Sequence, residues 1–228
     1  RDRQRVYCVW HQACDVPALT AFHALKSCRV VLQGKPAGFA RVDSVKRSFY
    51  TVPMDIKTNL IATAERLFDR NGFSATGMDR LTQEAGLSSR TLYKHVGSKT
   101  ALMALVLGAR ERRFMERLNV QSVDEIFDVL AQWTRDEGGR GCLFLRSYGE
   151  TGGDIPEIAN VVLTHKDATR AKIAEIVQRD LGAGDHGELT EQILVLFEGA
   201  VAAAVYRGMD AISAARKAAA ILVAQARS

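Results

Sequence analysis

After residue 54 the chain never alternates apolar and polar residues long enough to build a strand; its apolar residues recur every three or four positions instead. From Asp55 to Arg70, Ile56, Leu60, Ala64, Leu67 and Phe68 share one face, with Lys57, Glu65 and Arg66 between them. That is the period of an amphipathic helix, and Asn71-Gly72 reads as its left-handed stop. The same spacing predicts a short helix over about Met78–Ala85 and another from Ser88 or Ser89 to about His95. A longer one starts at Ser98 and carries Leu102, Leu105, Val106 and Ala109 to about Leu118. Gly86 and Gly97-Ser98 break the series, and each serine can cap the helix that starts beside it. Helical segments near 122–137, 142–150, 156–181, 188–207 and 209–226 are separated by Glu137-Gly138-Gly139, Gly152-Gly153, Gly182-Ala183-Gly184 and Arg207-Gly208. The expected fold class is all-α, with no repeat and no low-complexity tract.

The formal charge of +5 hides an uneven distribution. Residues 1–53 hold nine Lys/Arg and three Asp/Glu, which leaves 22 bases and 23 acids in 54–228. A basic chain suggests a nucleic-acid partner, but here the excess sits in the leader, so such a partner must be argued from local placement. One segment offers that placement. Ser88 to Lys99 reads SSRTLYKHVGSK, and no acid occurs between Glu84 and Glu111.

Three short helices joined through Ala85-Gly86-Leu87-Ser88 have the shape of a helix-turn-helix, in which one helix crosses the phosphate backbone and the next enters the major groove. Leu92 and Val96, four apart, can anchor the inserted helix. Ser89, Arg90, Thr91, Tyr93, Lys94 and His95 then point outward or sideways. Hydroxyls, cations and imidazole suit phosphates and base edges, and the helix N-terminus adds partial positive charge. A polar helix face taken alone is more often merely solvated. A catalytic reading of Ser88, Tyr93, Lys94 and His95 lacks support: a Tyr-x3-Lys pair would need lysine at Gly97, no Gly-rich turn follows a strand, and no acid stands near His95.

The segment resembles the DNA-binding domain of the TetR family of transcriptional regulators over about residues 56–105. The resemblance rests on Ala64-x2-Leu67-Phe68-x3-Gly72-Phe73, Ala75-Thr76, Leu81, Glu84-Ala85-Gly86-Leu87-Ser88, Thr91-Leu92-Tyr93-x-His95-Val96 and Ser98-Lys99-x2-Leu102. It implies a three-helix DNA-binding head over 54–100 and a helical ligand-binding and dimerisation domain over 101–228. It further implies a homodimer on a palindromic operator, usually a repressor released by a small ligand, in the bacterial cytoplasm at the nucleoid. Carried over, Ser89, Arg90, Thr91 and Lys94 would meet bases, while Tyr93, His95 and Lys99 would hold phosphates; Thr76, Gly77 and Ser88 complete the expected DNA-binding set. Gly77 departs from a common hydroxyl residue and leaves only a backbone N–H there. Thr100 replaces a common Glu.

In the larger domain the resemblance thins to Arg140-Gly141-Cys142-Leu143-Phe144 with Glu150 beyond it. Phe114, Phe127, Trp133, Phe144 and Tyr148 should converge and could line a cavity for a small apolar or aromatic ligand, or could simply be core. Cys142, with Arg140 and Arg146 nearby, is either a thiol sensor or a small buried hydrophobe. His165 and His186 are expected at the surface, and no cofactor or metal is expected. Ile193, Leu194, Leu196, Phe197, Ala200, Val201, Ala204 and Val205 cover more than one helix face, as does the run Ala218–Ala224. A helix apolar on most sides is buried on most sides, so Ile193, Phe197, Ala200, Val201, Ala204 and Leu222 are the expected dimer contact, with intramolecular core as the alternative. No apolar run approaches the roughly 20 residues of a bilayer span, so no membrane partner is expected.

The 1–53 leader is without methionine, holds three of the four cysteines and shows neither period. It is expected to be upstream-translated or disordered sequence ahead of a start at Met54. Cys8, His11, Cys14, His23 and Cys28 supply zinc-ligand types, but their spacing fits no common finger. A second function class stays open: a helical ligand-binding or scaffolding protein whose head no longer binds DNA.

Overall fold

The computed structural model describes residues 55–228. The leader, with its cysteines and histidines, and the expected start at Met54 lie outside the described residues. Nine helices and no strand occur among the described residues: α1 (Ile56–Asn71), α2 (Met78–Ala85), α3 (Ser89–Val96), α4 (Lys99–Arg117), α5 (Val123–Glu137), α6 (Leu143–Glu150), α7 (Pro156–Leu181), α8 (Gly187–Arg207) and α9 (Met209–Ala226).

Local chemistry sets these boundaries. Ser88, Ser98 and Ser122 cap α3, α4 and α5, each side chain accepting a backbone N–H three residues on. Pro156 opens α7 at the position where a missing N–H costs nothing. Gly86 ends α2 in the left-handed conformation, φ 65° and ψ 32°. Gly72 differs from the expected left-handed stop: its φ is 89°, but its ψ of 159° lies outside the left-handed helical region. Asn71 holds that exit by donating from its side chain to the Leu67 carbonyl, 2.9 Å away.

Two apolar clusters organise the packing. One joins the buried faces of α1–α3 (Leu60, Phe68, Leu81, Leu92) to Leu102 and Val106 of α4, then to Leu143 and Phe144 of α6 and Ile158 and Val162 of α7. The core of the three-helix head therefore continues into the larger half along α4. The second cluster gathers Phe114, Ile126, Phe127, Ile173, Ile176, Ile193, Phe197 and Val223 between α4, α5, α7, α8 and α9.

The last two helices correct one expectation. Ile193, Phe197, Ala200 and Ala204 are buried within the chain itself, while Val201 and Leu222 are half-buried against the same cluster. The intramolecular alternative describes these six. The outward stripe of α8 and α9 is offset by about two positions: Val195 and Ile221 are each 69% exposed, and Gly199, Ala203, Ala214 and Ala218 line a shallow groove with Val195. A second correction concerns α8, which is long and apolar enough by length and composition to cross a bilayer. Its buried face is bound into the second cluster, and its Glu191 and Glu198 pair with Arg170 and Lys166 of α7. Those contacts fix one side of α8 within the helical packing of this chain.

Candidate nucleic-acid interface and ligand cavity

In α3, Leu92 and Val96 are buried and pin the helix to α1 and α4. Ser89, Arg90, Tyr93 and Lys94 are exposed, and Thr91 and His95 are half-buried beside them. The Thr91 N–H donates to Ser88 Oγ at 3.1 Å, and the two hydroxyls lie 2.8 Å apart. These side chains share the outward face of one short helix that carries no acid. Gly77, exposed, precedes α2 with its backbone extended.

Thr76 does not belong to that surface. It is fully buried, and its hydroxyl donates to the Gly72 carbonyl at 2.7 Å, closing the turn after α1. Lys99 stands at the first turn of α4, where its Nζ donates to the Ser74 carbonyl at 3.3 Å and lies 4.4 Å from the centre of the Phe73 ring. Burial lowers its pKa, and the Glu150 carboxylate opposes that. The carboxylate also accepts the Ser74 N–H at 2.8 Å, so the end of α6 grips the turn that positions Lys99.

Further joints tie the head to the larger half. Asp69 of α1 is buried and accepts from Arg140 at 2.9 Å and Arg146 at 3.1 Å, and Arg146 also donates to the Asp69 carbonyl at 2.7 Å. Arg140 and Arg146 are therefore engaged with α1. Glu65 of α1 accepts from Arg110 and Arg113 of α4, which also reach Glu137 at the end of α5.

Beside these joints lies a cavity of about 60 Å³ between α4, α5, α6, α7 and α8. Phe114, Trp133 and Phe144 line it as expected, joined by Phe197 and Val201. Phe127 and Tyr148 do not line it. Phe127 is fully buried on the face of α5 turned to the second cluster, and Tyr148 packs on the first cluster, away from the cavity wall. Large side chains converge by helix face rather than by size.

His165 corrects another expectation, since it is 5% exposed and forms part of the cavity wall. Its ring stacks on Phe144 with centroids 3.7 Å apart. Its Nδ1 has no hydrogen-bond partner, although it lies 3.5 Å from a Glu111 carboxylate oxygen. Burial, then the neighbouring Lys166 charge, push its pKa down to about 4, which leaves it neutral near pH 7. A signal for this was present: Ile158, Val162, His165, Thr169, Ile173 and Ile176 follow the buried stripe of α7. Cys142 is half-buried in the wall, where Lys166 donates to its sulfur at 3.4 Å and to Glu198 at 2.7 Å. Arg110, buried in the wall, lies 5.1 Å from the Trp133 ring.

Residues 60–106 match the family model described as bacterial regulatory proteins, tetR family. The chain is 29% identical over 142 residues to the HTH-type transcriptional regulator UidR of Escherichia coli, covering 60% of this chain and 70% of UidR. It is 29% identical over 140 residues to the HTH-type transcriptional activator FasR of Mycolicibacterium smegmatis, covering 56% of this chain and 60% of FasR. Among solved structures, SCO4454, a TetR-family transcriptional regulator from Streptomyces coelicolor, superposes with a TM-score of 0.69 at 23% identity, over 76% of this chain and 96% of that one.

Proposed function

We propose, for a chain that belongs to the TetR family of transcriptional regulators, that it acts as a homodimeric repressor in the bacterial cytoplasm, released from a palindromic operator by a small ligand. The observation that carries the DNA half of this reading is the acid-free outward face of α3, capped by Ser88 and anchored by Leu92 and Val96. Ser89, Arg90, Thr91 and Lys94 read bases; Tyr93, His95 and Lys99 hold phosphates with the backbone N–H of Gly77. Two such helices reach successive major grooves when they sit about one DNA turn apart, roughly 34–36 Å. The outward stripe of α8 and α9, with Val195, Gly199, Ala203, Ala214, Ala218 and Ile221, suits close packing against the same stripe of a second copy.

The release half rests on the cavity and its joints. A ligand touching Phe144 and Arg110 meets α6 and α4 together, and those helices hold Asp69, Glu65 and Ser74 of the head. It shifts the helix spacing only through its differential affinity for the two arrangements, and a switch from 1:99 to 99:1 needs about 5.5 kcal/mol.

Gel shifts with DNA upstream of the protein's own gene test the reading. Arg90→Ala should relax preference at particular base pairs, whereas Lys99→Ala should weaken all sequences alike and flatten the salt dependence. Absence of any sequence-selective shift by the unaltered protein would favour the alternative, a helical ligand-binding protein whose head no longer reads DNA.

A further inference from the structure

The cavity offers little to an ionised ligand. Arg110 is already paired with Glu65 and Glu137, and Lys166 with Glu198. What remains free is different in kind. Cys142 presents a sulfur beside the Lys166 ammonium, and the imidazole of His165, more than nine-tenths buried, has a ring nitrogen without a partner. The surrounding walls include Phe114, Trp133 and Phe144. The free space of about 60 Å³ is small, which suits a compact guest.

We propose that Cys142, assisted by Lys166, captures small neutral α,β-unsaturated aldehydes or ketones covalently in this cavity. The inference deepens the reading of the cavity as the regulator's ligand site and rests on it. In the step, the Cys142 sulfur attacks the β-carbon and forms the C–S bond. The C=C π pair moves to the α-carbon and carbonyl oxygen as an enolate, and the Lys166 ammonium protonates that enolate. The thiol gives its proton to solvent as it becomes the attacking thiolate, and the lysine takes one back from solvent afterwards, so the net change is addition of S–H across C=C, with no oxidant or reductant. Before the bond forms, the aromatic side chains of the wall hold the conjugated system. The adduct sits at the first residue before α6, whose Arg146 and Glu150 hold Asp69 and Ser74 of the head, so a group added there bears on both joints.

The test treats the full chain with methyl vinyl ketone and tracks each cysteine by peptide mass spectrometry. In the folded chain, adduct formation at Cys142 should saturate with probe concentration and exceed the rate at Cys142 in urea-denatured chain by at least about a hundredfold, the lower end of what positioned proton transfer gives. Lys166→Met, confirmed as folded by its circular dichroism, should remove most of that excess. A linear dependence at or below the denatured rate would overturn the proposal, as would an excess that survives in Lys166→Met. Gel shifts keep the two readings apart. DNA release by the probe with Cys142 unmodified overturns the capture site and leaves the regulator standing. No shift by untreated protein tells against the regulator while the adduct kinetics still decide the capture.

Discussion

Around α1–α3 the buried polar groups are answered: Thr76 donates to the Gly72 carbonyl, Thr82 to the Asp79 carbonyl, and Asp69 receives two arginines. Between α4, α6, α7 and α8 Ser147, Thr169 and Arg110 are answered as well, but His165, in the cavity wall, keeps one nitrogen without a partner. Interiors are packed as tightly as organic crystals, and buried polar groups are nearly always satisfied. The head therefore has the construction of a rigid reading device. The larger half leaves free space and one unpartnered nitrogen in its interior.

This contrast can be broken at several points. The largest effect is expected in the head: Leu92→Ala removes a fully buried side chain from an eight-residue helix and should cost about 3–4 kcal/mol. Urea denaturation checks it, and a cost below about 1 kcal/mol would show that the head is looser than its packing. Next is the pH response of the cavity. His165 has its folded pKa depressed from 6.5 to about 4, so the unfolded chain takes up the proton first as pH falls. The favourable state is fully present above pH 6.5 and is lost between 6.5 and 4, by at most about 3 kcal/mol. Thermal melts of His165→Gln across that window should be flatter than those of the unaltered chain; identical slopes would mean that the imidazole is not held neutral. The smallest effect lies where the two regions meet. Ser98→Ala removes the cap of α4 and should cost about 1 kcal/mol, with Lys99 losing part of its alignment and DNA affinity falling alongside.

The helices were legible because their ends carry chemistry of their own: serine caps, glycines at positive φ and a proline at the first turn of α7. The outward face of α3 was legible for the same reason, since only Leu92 and Val96 could turn inward on so short a helix. Thr76 was misread because a hydroxyl suits a phosphate and a carbonyl equally, and only the tertiary turn shows which it meets. Around α8, apolar residues on most sides concealed which stripe faces inward. Ile193, Phe197, Ala200 and Ala204 form one stripe; Val195 and Gly199 belong to another. Composition cannot rank the two, whereas packing against α7 and α9 does. His165 was missed because histidine was counted as a polar surface residue although it occupies a position on the buried stripe of α7.

The contact between Glu150 and the turn after α1 also bears on what heredity can alter. Gly72 has a φ of 89°, and the Glu150 carboxylate oxygens stand 2.9 and 3.0 Å from where a side chain would begin. The carboxylate could swing aside, but the backbone conformation would still exclude other residues. Among random mutants that fold, position 72 will therefore return glycine. Glu150 is exposed and helical, so its own backbone tolerates other residues, at the loss of the acceptor for the Ser74 N–H. Substitutions that loosen the hold of α6 on this turn should therefore be recovered at Glu150 rather than at Gly72.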